Sequence, residues 1–191
     1  ASIRSCCRCG RPAVVSAPDD FTETQLTSTL AFDGDFLKLR TDTVRLPDGK
    51  TAHREYVQHS GAVVIIALLD AQTLILERQF RYALGRHVLE LPAGKIEPGE
   101  DHLETAKREF VEECGYQARS WRHLATLHPC VGYSNECCEL YLARDLVQVG
   151  RALDDGEFLD VVPMAIDEVL RRVGAGRISE TKVMAALIWL K

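Results

Sequence analysis

The chain has 191 residues, 46% of them hydrophobic and 27% charged, which is ordinary globular composition with room for one domain and an appendage. A formal net charge of −5, without a Lys/Arg block or basic stripe, argues against nucleic acid and membranes as partners. No apolar run approaches the roughly 18 residues of a membrane span, and no signal-peptide pattern is read at the N-terminus, so a cytoplasmic protein is expected.

Cys6-Cys7-Arg8-Cys9 contains a C-x-x-C pair, but a structural zinc site needs a second pair or a Cys/His partner at suitable spacing, and none lies nearby. Residues 1–28 are therefore read as a Cys-containing arm and linker, with a short strand possible. The odd cysteine count, the adjacent pairs and the missing secretion signal favour reduced thiols. From Leu30 the pattern becomes β. Phe36, Leu37, Leu39, Val44 and Leu46 lead to the turn Pro47-Asp48-Gly49-Lys50 and on to a strand over 51–57, giving a small sheet region at 29–58.

The main domain is expected over 59–191. Residues 62–69 form a continuous apolar run of strand length, and a strand over 73–80 follows the turn Asp70-Ala71-Gln72. Brief strands are expected at 88–91, 121–127, 139–142 and 158–164, with a mobile loop at 145–157. A short helix is expected over 166–173, and a last helix capped by Ser179. The result is an α/β fold, a sandwich around a mixed sheet.

Residues 91–100 hold two glycines and two prolines and read as a tight loop. The following segment, Asp101 to Tyr116, reads as a helix with Asp101 and Glu104 in a capping box and Gly115 ending it. Leu103, Ala106, Phe110 and Cys114 share one stripe that packs. Glu109, Glu112 and Glu113 share another that faces solvent. Glutamates at this spacing repel by roughly 0.2–0.5 kcal/mol per pair, and Arg108 offsets only one contact. A cation over the cluster would rationalise it, and hard carboxylate oxygens suit Mg²⁺ or Mn²⁺. On the helix alone, a solvated acidic face is the competing reading.

The preceding loop decides between them. Gly94, Glu100, Arg108-Glu109, Phe110, Glu112-Glu113, Gly115 and Tyr116 together resemble, position for position, the signature of the Nudix hydrolases. Leu89 to Gly94, Pro129, Gly132 to Glu136 and the run from Thr181 to Leu187 resemble the ADP-ribose pyrophosphatase branch of that family. The resemblance implies a Nudix α/β/α sandwich preceded by a small antiparallel sheet, and a homodimer formed through that sheet. It also implies Mg²⁺-dependent cleavage of ADP-ribose to AMP and ribose 5-phosphate.

Residue by residue, it implies that Glu109, Glu113, Glu112 and the Ala93 carbonyl hold metal, and that Gly94, Glu100 and Arg108 support the loop. Strand alternation separates Arg78 from Arg81, and the resemblance selects Arg81 for the phosphates. Arg54 and Glu55 align with residues at the adenosine end; an edge-strand charge pair is the plain alternative. Glu157 is the candidate general base, with Glu112 the alternative. Asp35 stands where some members carry an adenine-stacking aromatic, and Pro129 is slightly nearer the signature than is usual. The alternative substrates are therefore GDP-mannose or another nucleotide sugar. A non-catalytic ADP-ribose-binding module is the reading from another class, and the intact set Glu109, Glu112 and Glu113 favours the enzyme.

Overall fold

The computed structural model describes residues 21–153 and 155–190; the C-x-x-C arm lies outside them. The chain divides into two compact units, one ending at Gly61 and including Cys130–Cys137, the other comprising Ala62–Pro129 and the chain from Cys138 on.

The first unit is a three-stranded antiparallel sheet of β1 (Thr24–Asp33), β2 (Lys38–Arg45) and β3 (Thr51–Gln58). Strand β1 thus begins inside the stretch read as linker. The hairpin turn forms at 47–50, where Gly49 has φ 85° and its N–H donates to the Leu46 carbonyl at 2.9 Å. Cys130–Cys137 adds to this unit: the Val57 N–H donates to the Tyr133 carbonyl at 2.8 Å, and the His59 N–H to Asn135 Oδ1 at 2.7 Å. Cys114, Cys130 and Cys138 are free thiols, but Cys137 is disulfide-bonded, which corrects the expectation of reduced thiols throughout.

The second unit is built on a seven-stranded mixed sheet. Its strands are β4 (Ala62–Leu68), β5 (Thr73–Arg81), β6 (Arg86–Glu90), β7 (Ala93–Lys95), β8 (Tyr116–Leu127), β9 (Cys138–Gln148) and β10 (Leu159–Ala165). Strand β4 lies parallel to β9, and the other ladders are antiparallel. The continuous apolar run of β4 has a simple cause: both its faces are covered. Val64, Ile66 and Leu68 pack with residues of α2 (Ile166–Gly174) and α3 (Thr181–Ala186), while Val63, Ile65 and Ala67 pack with Ala106, Phe110 and Cys114. These layers make an α/β/α sandwich around the mixed sheet, with the small antiparallel sheet preceding it in sequence.

Several local expectations are corrected. Residues 93–95 are not loop but strand β7, paired with Ala62, Val63 and Val64 of β4, because the backbone of the apolar β4 still needs partners there. Strands β8 and β9 run well beyond their apolar segments, and β9 takes residues 145–148 from the expected loop. Their ends, including Arg119, Ser120, Arg144 and Asp145, are exposed, so hydropathy does not mark them. Helix α3 is capped by Glu180, whose carboxylate accepts from the Val183 N–H at 2.9 Å, and not by Ser179, which instead accepts from Arg86 at 3.0 Å. Among the described residues no helix is long and apolar enough to cross a membrane.

Candidate active site

The site begins where β7 meets helix α1 (His102–Glu109). Asp101 caps α1: one carboxylate oxygen accepts from the N–H groups of Leu103 at 2.9 Å and Glu104 at 3.2 Å. The reciprocal half of a capping box is absent, since the Glu104 carboxylate takes Lys107 at 2.7 Å. At Phe110 the helix widens into a π turn, Phe110–Cys114, ended by Gly115 in the left-handed region at φ 74°. Phe110 is fully buried and packs against the rings of Tyr116 and Trp121, fixing the turn to the sheet.

Gly94 is required by its neighbour. A Cβ at Gly94 would lie 1.8 Å from the Glu109 carboxyl carbon, so the side chain of Glu109 lies across the bare backbone of β7. Arg108 ties the loop to the helix. Its Nε and Nη2 donate to the Glu100 carboxylate at 3.0 and 3.1 Å, and its Nη1 reaches Glu109 and Glu112 at 2.9 Å each. These hydrogen bonds hold Glu100 down at about 2 and raise Arg108 further.

The acidic stripe does not simply face solvent. Glu113 is 6% exposed and accepts the Ala93 N–H at 3.2 Å. Beside it is a carboxylate that helix periodicity could not reveal: Glu77 of β5, 5% exposed, which accepts the Cys114 S–H at 3.0 Å. Desolvation, with repulsion from Glu157 and Glu90, pushes Glu77 from 4.5 to about 7 despite the thiol's hydrogen bond. Desolvation and repulsion from Glu77, Glu109 and Glu157 push Glu113 up strongly, and burial raises Glu109 against the pull of Arg108. The Cys114 thiol is also pushed up, by burial first and then by Glu77.

Glu77, Glu109, Glu113 and Glu157 thus form one electrostatic cluster reached from β5, α1, the π turn and the loop before β10. Glu112 borders the cluster at Glu109, with which it shares Arg108 Nη1 and which its charge raises, and it also lines a cavity of about 540 Å³ with Glu104, Lys107, Gln117 and Trp121. Arg81 acts on the cluster, since Glu113 and Glu77 both raise it, and its guanidinium is bonded to the buried Glu90. Arg78 turns away to the exposed Asp160. Arg54 and Glu55 belong to the first unit, where Arg54 pairs with Glu23.

Glu77 and Glu90 were the residues missed. The signal was present: Glu77 ends the buried run Leu74-Ile75-Leu76, and Glu90 interrupts Leu89 and Leu91. Among the described residues no group of three His, Cys, Asp or Glu side chains is gathered into a metal cage. The donor chemistry nevertheless fits a hard divalent cation, because these carboxylate oxygens crowd around the buried Glu113, which its neighbours raise, and the nearby Arg81 is already engaged by Glu90.

Known proteins place this arrangement. Residues 58–186 match the model of the NUDIX domain, and residues 23–57 that of the nucleoside diphosphate sugar hydrolase N-terminal domain. The chain is 36% identical to a methanol dehydrogenase activator of Bacillus methanolicus, covering 90% of this chain and 94% of that protein. It is 35% identical to an ADP-ribose pyrophosphatase of Bacillus subtilis, covering 84% and 88%. It is 39% identical to an ADP-ribose pyrophosphatase of Mycobacterium tuberculosis, covering 90% and 84%. The fold matches a crystal structure of an ADP compounds hydrolase with a TM-score of 0.77 at 23% identity, over 87% of this chain and 90% of that one. The carboxylate cluster against β7 therefore sits in an enzyme scaffold, and the chain belongs to the NUDIX family of hydrolases.

Proposed function

We propose that the chain hydrolyses the diphosphate of a nucleotide sugar, with ADP-ribose as substrate and AMP and ribose 5-phosphate as products. The observation that carries this reading is the carboxylate cluster in which the buried Glu77 and Glu113 meet the part-exposed Glu109 and Glu157 beside Ala93-Gly94, an excess of acidic groups suited to a divalent cation. The substrate rests on the relatives named ADP-ribose pyrophosphatase and on the match at residues 23–57.

Glu109 and Glu113, joined by Glu112 and the Ala93 carbonyl, would hold Mg²⁺ or Mn²⁺. Such an ion, when bound, offsets diphosphate charge and makes water easier to deprotonate. Glu157 takes the proton of the attacking water as the new P–O bond forms and the bridging P–O bond breaks. Arg81 donates to the phosphate oxygens, and Arg54 and Glu55 serve the adenosine end. Glu100 and Arg108 hold the loop on the helix, and the small N-terminal sheet joins two copies into a homodimer, which light scattering would weigh.

The test is hydrolysis with and without Mg²⁺ across ADP-ribose, GDP-mannose, ADP-glucose, NADH and diadenosine polyphosphates, with products identified. Preference for ADP-ribose yielding AMP supports the reading. Preference for GDP-mannose would keep the cluster and overturn the base assignment, and no cleavage with any metal would favour a binding module. Glu157→Gln should reduce turnover while metal binding persists; if only Glu112→Gln does so, the base lies in the helix.

A further inference from the structure

Arg81 feels the charge of Glu77 and Glu113 in the carboxylate cluster, yet its side chain has several torsions and is about half exposed. Free in water, such a side chain samples many directions. Here it does not, because Glu90 takes it in a bidentate grip. Arg81 Nε–H donates to Glu90 Oε1 at 2.7 Å and Nη2–H to Oε2 at 2.8 Å. A guanidinium carries five N–H donors, so this grip leaves three, both on Nη1 and one on Nη2, in a fixed plane.

Glu90 is itself held. Leu89 and Leu91 pack into the core on the α2 and α3 side of the sheet, so alternation turns Glu90 to the other face. There it is 6% exposed and lies across the ladder from Glu77. Like charges facing each other across strands destabilise a sheet, so the arrangement needs a reason beyond packing. Lys182, mostly buried and bonded to Glu180 at 2.6 Å, adds a second positive charge near Glu90.

We propose that Glu90 is a positioning residue, fixing the guanidinium of Arg81 so that its three remaining N–H donors meet the diphosphate of the substrate. The proposal rests on the assignment of Arg81 to the phosphates given above. Glu90 does not touch the reacting atoms; it acts through Arg81.

A double-mutant cycle tests it, with kcat and KM for ADP-ribose at fixed Mg²⁺ and a thermal melt of each protein. Glu90→Gln should lower kcat/KM by about 100-fold, the scale set by misplacing a substrate-orienting group. Arg81→Ala should lose at least as much, the double variant no more than Arg81→Ala alone, and Glu90→Asp should recover part of the loss. A pair that only stabilises the fold would lower the melting temperature and leave the constants of the folded protein unchanged, which would overturn the proposal. So would losses that add in full in the double variant. If Glu90→Gln does not fold, Glu90→Asp carries the test, and wild-type constants there overturn the proposal. Wild-type constants in Arg81→Ala would remove the phosphate assignment itself, and with it the role of Glu90.

Discussion

Two groups of carboxylates on one short stretch of chain have opposite lives. Glu100 meets Arg108 at the protein surface through paired hydrogen bonds and is held at about 2. Glu113, thirteen positions later, lies buried among Glu77, Glu109 and Glu157 and is raised. The first group is satisfied by the protein alone and serves the fold. The second is left in mutual repulsion, which destabilises the protein and makes sense where another charge is to be received.

The sharpest way to break the contrast is Glu113→Gln. It should lower kcat by about 10³-fold, in line with loss of several kcal/mol of transition-state stabilisation, while circular dichroism shows an intact fold. Wild-type turnover would remove Glu113 from the metal site. Next comes Gly94→Ala, where the new methyl meets Glu109. Turnover should fall by about 10²-fold and urea stability by about 1–3 kcal/mol, the usual cost of overpacking. An unchanged rate would show that the side chain of Glu109 can leave β7 freely.

Arg108→Ala acts on the satisfied group. Since its side chain is 36% exposed, the loss should be only about 1 kcal/mol in urea unfolding, and smaller in turnover than for Glu113→Gln. The smallest effect is in pH, where the groups differ in sign. Glu100 is depressed from 4.5 to about 2, so its stabilisation is present above 4.5 and is lost as pH falls towards 2. Glu77 is raised from 4.5 to about 7, so protein kept metal-free in EDTA should lose stability as pH climbs through that window, because the unfolded chain releases the proton first. Thermal melts between pH 2 and 8 read both arms. A stability that rises from 4.5 to 7 would contradict the burial of Glu77.

Much of this contrast could be read before the fold was known. The apolar run of β4, the Asp101 cap and the Gly115 stop are local signals, and they gave the layers and the helix in register. The stripe of Ala106, Phe110 and Cys114 packs as periodicity predicts. What could not be read depends on contacts distant in sequence. Glu77 approaches Cys114, and Glu90 approaches Arg81, only because β5 pairs with β6 and the π turn lies across the sheet. The π turn itself has no compositional mark in Phe110-Val111-Glu112-Glu113-Cys114, and the polar ends of β8 and β9 have no burial pattern to announce them.

The close approach of Glu109 to Gly94 also orders the history open to this chain. While Glu109 is retained, almost any replacement at position 94 meets its carboxyl group, so the glycine cannot drift alone. Once a descendant loses Glu109, the space is vacated and position 94 becomes free to vary. In a lineage that gives up catalysis, the glutamate is expected to go first and the glycine afterwards, so a relative with a filled position 94 and an intact Glu109 should be rarer than the reverse.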